Sequence, residues 1–181
     1  MAGYNIKLRL KNFRPITWRD LIIPTGLTFH DVHLIIQIVF GFADSHLYHF
    51  VFKDSPVTLI DFERQEKFFD DDYNSHDILI DDFFNKYKKI EYEYDFGDGW
   101  EILVEIKGIK EDFDKNYPEL IRYKGKYDCM EDIGGFWGLS QLIYFKEHPD
   151  DPNFSEPFIS LMEDFSIFDF DLTQKALKDY F

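Results

Sequence analysis

Three short segments carry most of the side chains that could do chemistry in this sequence. They are Asp95-Phe96-Gly97-Asp98-Gly99-Trp100, Glu131-Asp132-Ile133-Gly134-Gly135 and His46-Leu47-Tyr48-His49. Carboxylate oxygens suit Mg²⁺ and Mn²⁺, and imidazoles add affinity for Zn²⁺. If folding brings the segments together, they could hold a divalent cation, and a water on that ion could act as a hydrolytic nucleophile. The candidate metal ligands are His46, Asp95, Asp98, Glu131 and Asp132.

Ordinary structural roles offer an alternative for the same segments. Asp98 lies between two glycines, as in a turn, and Asp132 precedes a glycine pair, as in a loop that leads into a helix. His46 and His49 are three positions apart, so in a strand they would point to opposite faces and could not share a metal unless a turn intervenes. The sequence contains no Gly-rich phosphate loop, Cys-x-x-Cys pair or His-Glu-x-x-His motif. No cofactor is therefore established, and a divalent metal is the candidate.

A helix predicted over 29–40 supplies a second candidate site. It is apolar nearly all round, but His30, His33 and Gln37 fall within a stripe of about 60° at 3.6 residues per turn. The stripe is either the solvated edge of the helix or one wall of a binding cleft. In the second interpretation, the cleft is lined by Trp18, Arg19, His33, Gln37 and Trp100.

A β-hairpin over 90–107 is the clearest element that would position these residues. Apolar and acidic residues alternate before Gly97-Asp98-Gly99, and apolar residues alternate again after it. A three-residue loop predicts the pairs Phe96–Trp100, Tyr94–Ile102, Tyr92–Val104 and Ile90–Ile106. The same register opposes Asp95 to Glu101 and Glu91 to Glu105, and like charges in such positions are destabilising. A positive neighbour is expected there, either the basic face of the first strand or a divalent cation.

The remaining elements follow from periodicity and from helix and turn signals. Strands are predicted at 4–11, 16–23, 47–52, 57–60 and 120–123, and helices at 29–40, 81–88, 136–147, 155–164 and 172–180. Thr28 and Asp171 are the expected caps of the helices at 29–40 and 172–180, and the acidic run 70–74 is expected to be a solvated loop. No repeat or Gly/Ser linker is present. We predict a single compact α+β domain over 1–181, a mostly antiparallel sheet with helices packed on it and the hairpin at its centre.

Composition excludes several classes of protein. The chain has 181 residues, of which 45% are apolar and 19% aromatic, so it can bury a core despite a net charge of −15. Its apolar runs are too short to cross a membrane, and its first residues do not resemble a signal peptide. A single cysteine, Cys129, fits a reducing compartment, which favours a cytoplasmic location. The acidic surface disfavours binding of nucleic acid, except through the basic residues of positions 7–19.

Five blocks of sequence resemble a known family. They are Pro15-Ile16-Thr17-Trp18-Arg19, residues 27–37, His46-Leu47-Tyr48-His49-Phe50, residues 92–100 and Glu131-Asp132-Ile133-Gly134-Gly135. In this order they resemble the Ri-plasmid ORF-three-like family, whose members often carry the labels TnpR or insertion-element passenger protein. The resemblance extends from about residue 4 to Phe168-Asp169-Phe170-Asp171-Leu172. It implies a compact α+β fold and no established activity. The arginines do not cluster near any serine in sequence, which argues against the chemistry of a serine recombinase.

A site shared within that family would fall on the matching positions of this chain. These are Trp18, Arg19, His33, Gln37, His46, Asp95, Asp98, Trp100, Glu131 and Asp132. This chain departs from the family pattern at Tyr48-His49 and at Cys129-Met130. The leading interpretation is a non-catalytic cytosolic binding or accessory module in a plasmid or mobile-element context, with a protein as the candidate partner. The alternative is a metal-dependent hydrolase that uses the carboxylates and a histidine.

Overall fold

One eight-stranded sheet organises the chain in this computed structural model, which describes residues 2–153 and 156–181. The strands are β1 (Gly3–Leu10), β2 (Trp18–Pro24), β3 (Tyr48–Val51), β4 (Thr58–Ile60), β5 (Asp72–Asn74), β6 (Lys89–Tyr94), β7 (Trp100–Lys110) and β8 (Glu119–Lys124). The helices are α1 (Phe29–Phe40), α2 (Asp81–Phe84), α3 (Gly135–Glu147), α4 (Glu156–Asp164) and α5 (Phe170–Tyr180). The side chains of residues 156–158 are not described.

The strands lie in the order β5-β4-β3-β6-β7-β1-β2-β8. Neighbouring strands are antiparallel except β4 and β5, which are parallel. The predicted α+β class and mostly antiparallel sheet are confirmed, and the β6–β7 hairpin lies at the centre as expected. Inward residues of the strands form one hydrophobic core with apolar residues of the helices, whereas the opposite face of the sheet carries most of the charged strand residues. We call that opposite face the open face.

The predicted register of the hairpin is wrong by two positions. Tyr94 pairs with Trp100, and Tyr92 pairs with Ile102. The turn therefore spans the five residues 95–99, and the carbonyl of Asp95 accepts a hydrogen bond from the Gly99 N–H at 2.6 Å. A shift of two keeps every side chain on its predicted face, because side chains in a strand alternate with a period of two.

The acidic side chains of this hairpin do have a positive neighbour. Glu93 lies opposite Glu101 on the open face, in place of the acidic pairs predicted from the three-residue loop. Lys11, which follows β1, places its Nζ 3.1 Å from Glu91 and 3.2 Å from Glu101. The basic residues beside the first strand thus supply the expected charge, and these glutamates need no cation.

Helix α1 forms as its sequence predicts. Thr28 is the N-cap, and it shares a reciprocal capping box with Asp31. Gly41 ends the helix at φ 76°, a left-handed conformation that glycine adopts without steric cost. Eight of its twelve residues are buried, which fixes the helix firmly on the sheet.

Other predicted elements differ from the structure in their limits. Residues 72–74 of the acidic run form the edge strand β5, where a loop was expected, because they pair with β4. The cap of α5 is Asp169, whose side chain accepts a hydrogen bond from the Leu172 N–H, so the prediction of Asp171 is wrong. The helix predicted at 81–88 has only four residues. Residue 155, the expected start of α4, lies outside the described residues. Among the described residues, none of the helices has the length and hydrophobicity of a membrane span.

Candidate functional site

The tip of the β6–β7 hairpin meets the segment that precedes α3. Asp95 has φ 55°, and its Oδ1 accepts hydrogen bonds from the N–H groups of Gly97 (3.1 Å) and Asp98 (3.3 Å). The Asp98 carboxylate accepts hydrogen bonds from the N–H groups of Ile133 (3.2 Å) and Gly134 (3.1 Å). Asp98 therefore holds the 131–134 segment against the hairpin. The carboxylate oxygens of Asp98 are not among the potential metal-ligand atoms that converge at this tip.

Four of the five predicted metal ligands come together beside this contact. The His46 Nε2 lies 3.3 Å from Asp132 Oδ1, 3.6 Å from Asp95 Oδ2 and 3.9 Å from Glu131 Oε2. This nitrogen is enclosed and has no hydrogen-bond partner among the described residues. We call His46, Asp95, Glu131 and Asp132 the loop cluster. The side chains of Asp95 and Glu131 are each 9% exposed, whereas that of Asp132 is 79% exposed, so solvent reaches the cluster from one side.

Hydrogen bonds outside the loop cluster orient Glu131. Its Oε1 accepts hydrogen bonds from the Tyr94 hydroxyl and from the Ala43 N–H, the latter at 2.8 Å. The Tyr94 hydroxyl oxygen in turn accepts the Ser45 N–H at 2.9 Å. Burial and the hydrogen bond to Glu131 raise the pKa of Tyr94, so the phenol remains protonated and donates. The second carboxylate oxygen of Glu131 is thereby left facing His46.

The spacing of these atoms suits a divalent cation. Bonds of about 2.0–2.2 Å to one ion place neighbouring ligand atoms about 3–3.5 Å apart. The distances from His46 Nε2 to the three carboxylates lie close to that range. An imidazole together with carboxylates fits Mn²⁺ or Zn²⁺, and the exposed side leaves space for a bound water.

The residues predicted to line a cleft are mostly enclosed in the core. Trp100, His33 and Arg19 are each 0% exposed, and Gln37 is 4% exposed. Trp18 lies on the open face, where Lys7 Nζ is 3.9 Å from the centre of its ring. The prediction of a shared cleft is therefore wrong, because Trp18 lies on the opposite side of the sheet from the four enclosed residues.

Two residues of the polar stripe of α1, His33 and Gln37, face the sheet and not the solvent, whereas His30 is half-buried. His33 Nδ1 lies 2.8 Å from the Tyr92 hydroxyl, and Gln37 Nε2 donates to the same hydroxyl at 3.2 Å. His33 Nε2 lies 2.8 Å from Asp44 Oδ1, and Arg64 binds the Asp44 carboxylate with two nitrogens at 2.7 Å. Burial opposes ionisation of Asp44, but the hydrogen bonds from His33 and Arg64 outweigh it and lower the pKa of Asp44 to about 2. His33 and Gln37 are thus a hydrogen-bonded part of the core.

Comparison with known proteins places the chain in a family. The sequence profile of the plasmid pRiA4b ORF-3-like proteins matches residues 2–174. The chain belongs to this family. The resemblance described above is thereby confirmed over nearly the whole sequence.

Two relatives extend this finding. An uncharacterized protein of Sinorhizobium fredii (strain NBRC 101917 / NGR234), y4hQ, is 30% identical over 137 residues, which are 76% of this chain and 69% of that protein. The crystal structure of a protein of unknown function from Methanosarcina mazei Go1, MM3350, matches with a TM-score of 0.76 and 26% identity, and the match covers 97% of each chain. The fold is thus shared with a solved structure.

Sequence reasoning missed one residue that shapes the loop cluster. The alternation of Tyr94 with acidic residues predicts only that it lies on the apolar face of the hairpin, yet its hydroxyl binds Glu131. The two residues are 37 positions apart, and no spacing pattern connects them. The alternation of tyrosine with acidic residues shows which face Tyr94 occupies but not the partner of its hydroxyl.

Proposed function

We propose that this protein binds a divalent cation of the Mn²⁺ type at the loop cluster, and that the ion activates a water for hydrolysis. The observation that carries the proposal is the His46 Nε2, an enclosed ring nitrogen without a hydrogen bond that points among three carboxylates. A buried polar atom without a partner is costly, and a cation at this point would satisfy it. Three carboxylates also supply more negative charge than one imidazole can balance.

The surroundings of the loop cluster support an ion-binding role. Asp95 uses only Oδ1 for its turn, so Oδ2 is available as a ligand. Tyr94 and Ala43 hold the other oxygen of Glu131, an arrangement typical of the groups that orient metal ligands. The solvent-exposed side at Asp132 gives a bound water access to a substrate.

Thermal unfolding with and without Mn²⁺ tests the binding step. A concentration 100 times the dissociation constant stabilises a protein by about 2.7 kcal/mol, which raises the Tm of a chain of this size by roughly 5–10 °C. We expect that increase in the wild type and its loss in Asp95→Asn. Asparagine tolerates the left-handed backbone of residue 95, and its carbonyl oxygen can keep the turn hydrogen bonds.

A matched control and an activity assay complete the test. Asp179→Asn removes an exposed carboxylate of α5, and we expect it to retain the full Mn²⁺ response. An equal Tm increase in wild type and Asp95→Asn would rule out the metal site.

Hydrolysis is measured with bis(p-nitrophenyl) phosphate and p-nitrophenyl acetate. Turnover should require both Mn²⁺ and Asp95; binding without turnover of either substrate would overturn the hydrolase proposal and favour the non-catalytic binding or accessory role.

A further inference from the structure

A cavity on the open face of the sheet brings together basic residues from distant parts of the chain. Its volume is about 480 Å³, and it extends from β1 across β7 and β6 to the end of β3. Arg9 of β1 pairs with Leu103 of β7. Glu91 of β6 pairs with Leu103 on one side and with Val51 of β3 on the other. We call this the basic cavity, because four basic residues and one acidic residue line it: Arg9, Lys11, Lys53, Lys89 and Glu91.

Two of these four cations have no partner within the protein. Lys11 and Lys89 are paired with glutamates of the open face, at 3.1 and 3.9 Å. In contrast, Arg9 and Lys53 form no hydrogen bond or ion pair with any described residue. Arg9 is also half-buried, so its guanidinium is partly withdrawn from water without a carboxylate to compensate it. Acidic residues outnumber basic ones by 35 to 20 in this chain, so the lack of a partner does not reflect a shortage of carboxylates.

The floor between the cations is apolar. Leu103 is 7% exposed and Val51 is half-buried, and both line the basic cavity. Sites for small molecules usually have a volume of about 300–1,000 Å³ and combine apolar walls with a few polar or charged groups. The basic cavity therefore fits a small molecule that carries both an anionic group and an apolar or aromatic part.

The type and position of the cations favour phosphate as the anionic group. The planar guanidinium of Arg9 offers paired donors that match two phosphate oxygens. Lys53 follows β3 and Lys89 begins β6, so the pairing of these strands brings both lysines to the same end of the cavity. Two ammonium groups at one end repel each other unless an anion lies between them. A phosphate monoester carries a charge of about −1.5 to −2 at pH 7, and so it balances more than one cation.

We propose that the basic cavity binds a small organic phosphate of the size of a nucleoside diphosphate, with its phosphates at Arg9, Lys53 and Lys89 and its ring on Leu103 and Val51. A nucleic-acid strand fits less well, because it would continue beyond the cavity along the surface of a chain whose net charge is −15. A small ligand is affected mainly by charges within about 10 Å at 0.1 M salt. The site does not depend on the function proposed above, because it shares no residue with the loop cluster.

Isothermal titration calorimetry with ADP tests this site. The buffer contains no divalent cation and no phosphate, so a metal at the loop cluster cannot contribute to binding. We expect one equivalent of ADP to bind the wild type, and Arg9→Gln and Lys53→Gln each to bind it at least about tenfold more weakly, since each loses a charged contact to phosphate. Pyrophosphate should bind more weakly than ADP because it has no ring, and it should lose affinity in the same two variants. Adenosine, which has no phosphate, should not bind measurably.

Arg122→Gln is the matched control, because it removes the same charge from an arginine that is 70% exposed and pairs with Asp20 elsewhere on the open face. We expect it to bind ADP as the wild type does. Far-UV circular dichroism verifies that the variants are folded, and Lys53 is exposed, so Lys53→Gln remains informative if Arg9→Gln is unstable.

Three results would overturn the proposal. They are an absence of saturable ADP binding by the wild type, wild-type affinity in folded Lys53→Gln, and an equal loss of affinity in Arg122→Gln. Tighter binding of a short single-stranded oligothymidylate than of ADP, with the same dependence on Arg9 and Lys53, would also overturn it and would assign the basic cavity to nucleic acid.

Discussion

His33 is fully enclosed, yet both of its ring nitrogens have polar partners, Tyr92 and Asp44. Burial lowers the pKa of His33, and the hydrogen bond to Asp44 offsets this only in part. In the unfolded chain a histidine takes up its proton near pH 6.5. Between that pH and the lower pKa of the folded state, the unfolded chain binds more protons than the folded chain. The contribution of His33 to the free energy of unfolding is therefore fully present above pH 6.5, and it decreases as the pH falls below that value.

We therefore predict that the free energy of unfolding decreases from pH 7 to pH 5, and that His33→Gln reduces this dependence. One histidine that is protonated only on unfolding contributes up to about 1.4 kcal/mol per pH unit. Burial also lowers the pKa values of His30 and His49, so part of the dependence will remain. Urea unfolding at pH 5, 6 and 7 measures it.

Gln37→Asn provides the control for this prediction. It disturbs the hydrogen bonds of Gln37 to Tyr92 and to the Asp44 N–H without removing a titrating group. It should lower stability by a similar amount at each pH. A His33→Gln variant with the full wild-type pH dependence would contradict the assignment of a neutral, buried His33.

Single residues also show where sequence reasoning reached its limit. The spacing of His30, His33 and Gln37 correctly places them on one side of α1, but spacing alone cannot show whether that side meets water or a hydroxyl group. The Tyr92 hydroxyl lies on the apolar face of β6, and its hydrogen bonds to His33 and Gln37 allow these polar side chains to be buried. In contrast, the convergence of His46 with Asp95, Glu131 and Asp132 was predictable as a hypothesis, because carboxylate-rich turns and an imidazole were visible as separate motifs.

Among the elements, the β6–β7 turn decides both the register of the hairpin and the position of the loop cluster. The alternation of apolar and acidic residues predicts which side chains face the core, but any shift of the register by two positions satisfies this alternation equally. Asp95 determines the register, because its left-handed backbone and its side-chain hydrogen bonds extend the turn to five residues. Helix α1 was predictable to its last residue, because its cap, first turn and terminal glycine are all local signals.

Gly134 and Gly135 give a prediction for the contact between this turn and α3. Both have positive φ, 82° and 60°, but a Cβ at Gly135 would lie 2.1 Å from the Asp98 carbonyl oxygen, whereas one at Gly134 meets nothing within 4 Å. Gly134→Ala should cost only the backbone strain of about 1–2 kcal/mol. Gly135→Ala should cost at least about 2 kcal/mol more because of the overlap. Urea unfolding of both variants measures the difference, and equal costs would contradict the close approach.

Across the whole molecule, Arg19 connects the sheet to two helical regions. From β2 its Nε donates to the Val39 carbonyl of α1 at 3.0 Å, and its Nη1 donates to the Lys124 carbonyl of β8 at 3.0 Å. Its guanidinium lies 3.7 Å from the centre of the Phe168 ring, just before α5. Burial lowers the pKa of Arg19 to about 10, so it remains cationic at pH 7. A residue predicted to bind a partner thus joins distant parts of the fold.

We predict that Arg19→Lys destabilises the protein by about 3 kcal/mol although it keeps the charge. Lysine has no planar fork that reaches both carbonyls, and each buried group left without a partner costs about 1–3 kcal/mol. Arg122→Lys is the matched control on the open face, where the Arg122 side chain is 70% exposed and pairs with Asp20, and it should change stability by less than about 0.5 kcal/mol. Thermal and urea unfolding compare the two variants. Equal effects would show that the geometry of Arg19 is unimportant.

The class of the fold was more accessible from sequence than the order of its strands. Alternating strands, one long hairpin and amphipathic or apolar helices predict an α+β domain, and the structure confirms it. Pairing of β1 between β7 and β2, and of β3 beside β6, depends on contacts between residues far apart in the chain. A single sequence carries no local signal for such contacts.

The enclosed Trp100 has a practical consequence for spectroscopy. It packs between Phe42 and Phe136 and directly follows the turn that contains Asp95, whereas Trp137 is 67% exposed. The emission of Trp100 will therefore be blue-shifted and shielded from acrylamide, and that of Trp137 red-shifted and readily quenched. Selective loss of the blue component on adding a paramagnetic ion would report occupancy near the turn without any label.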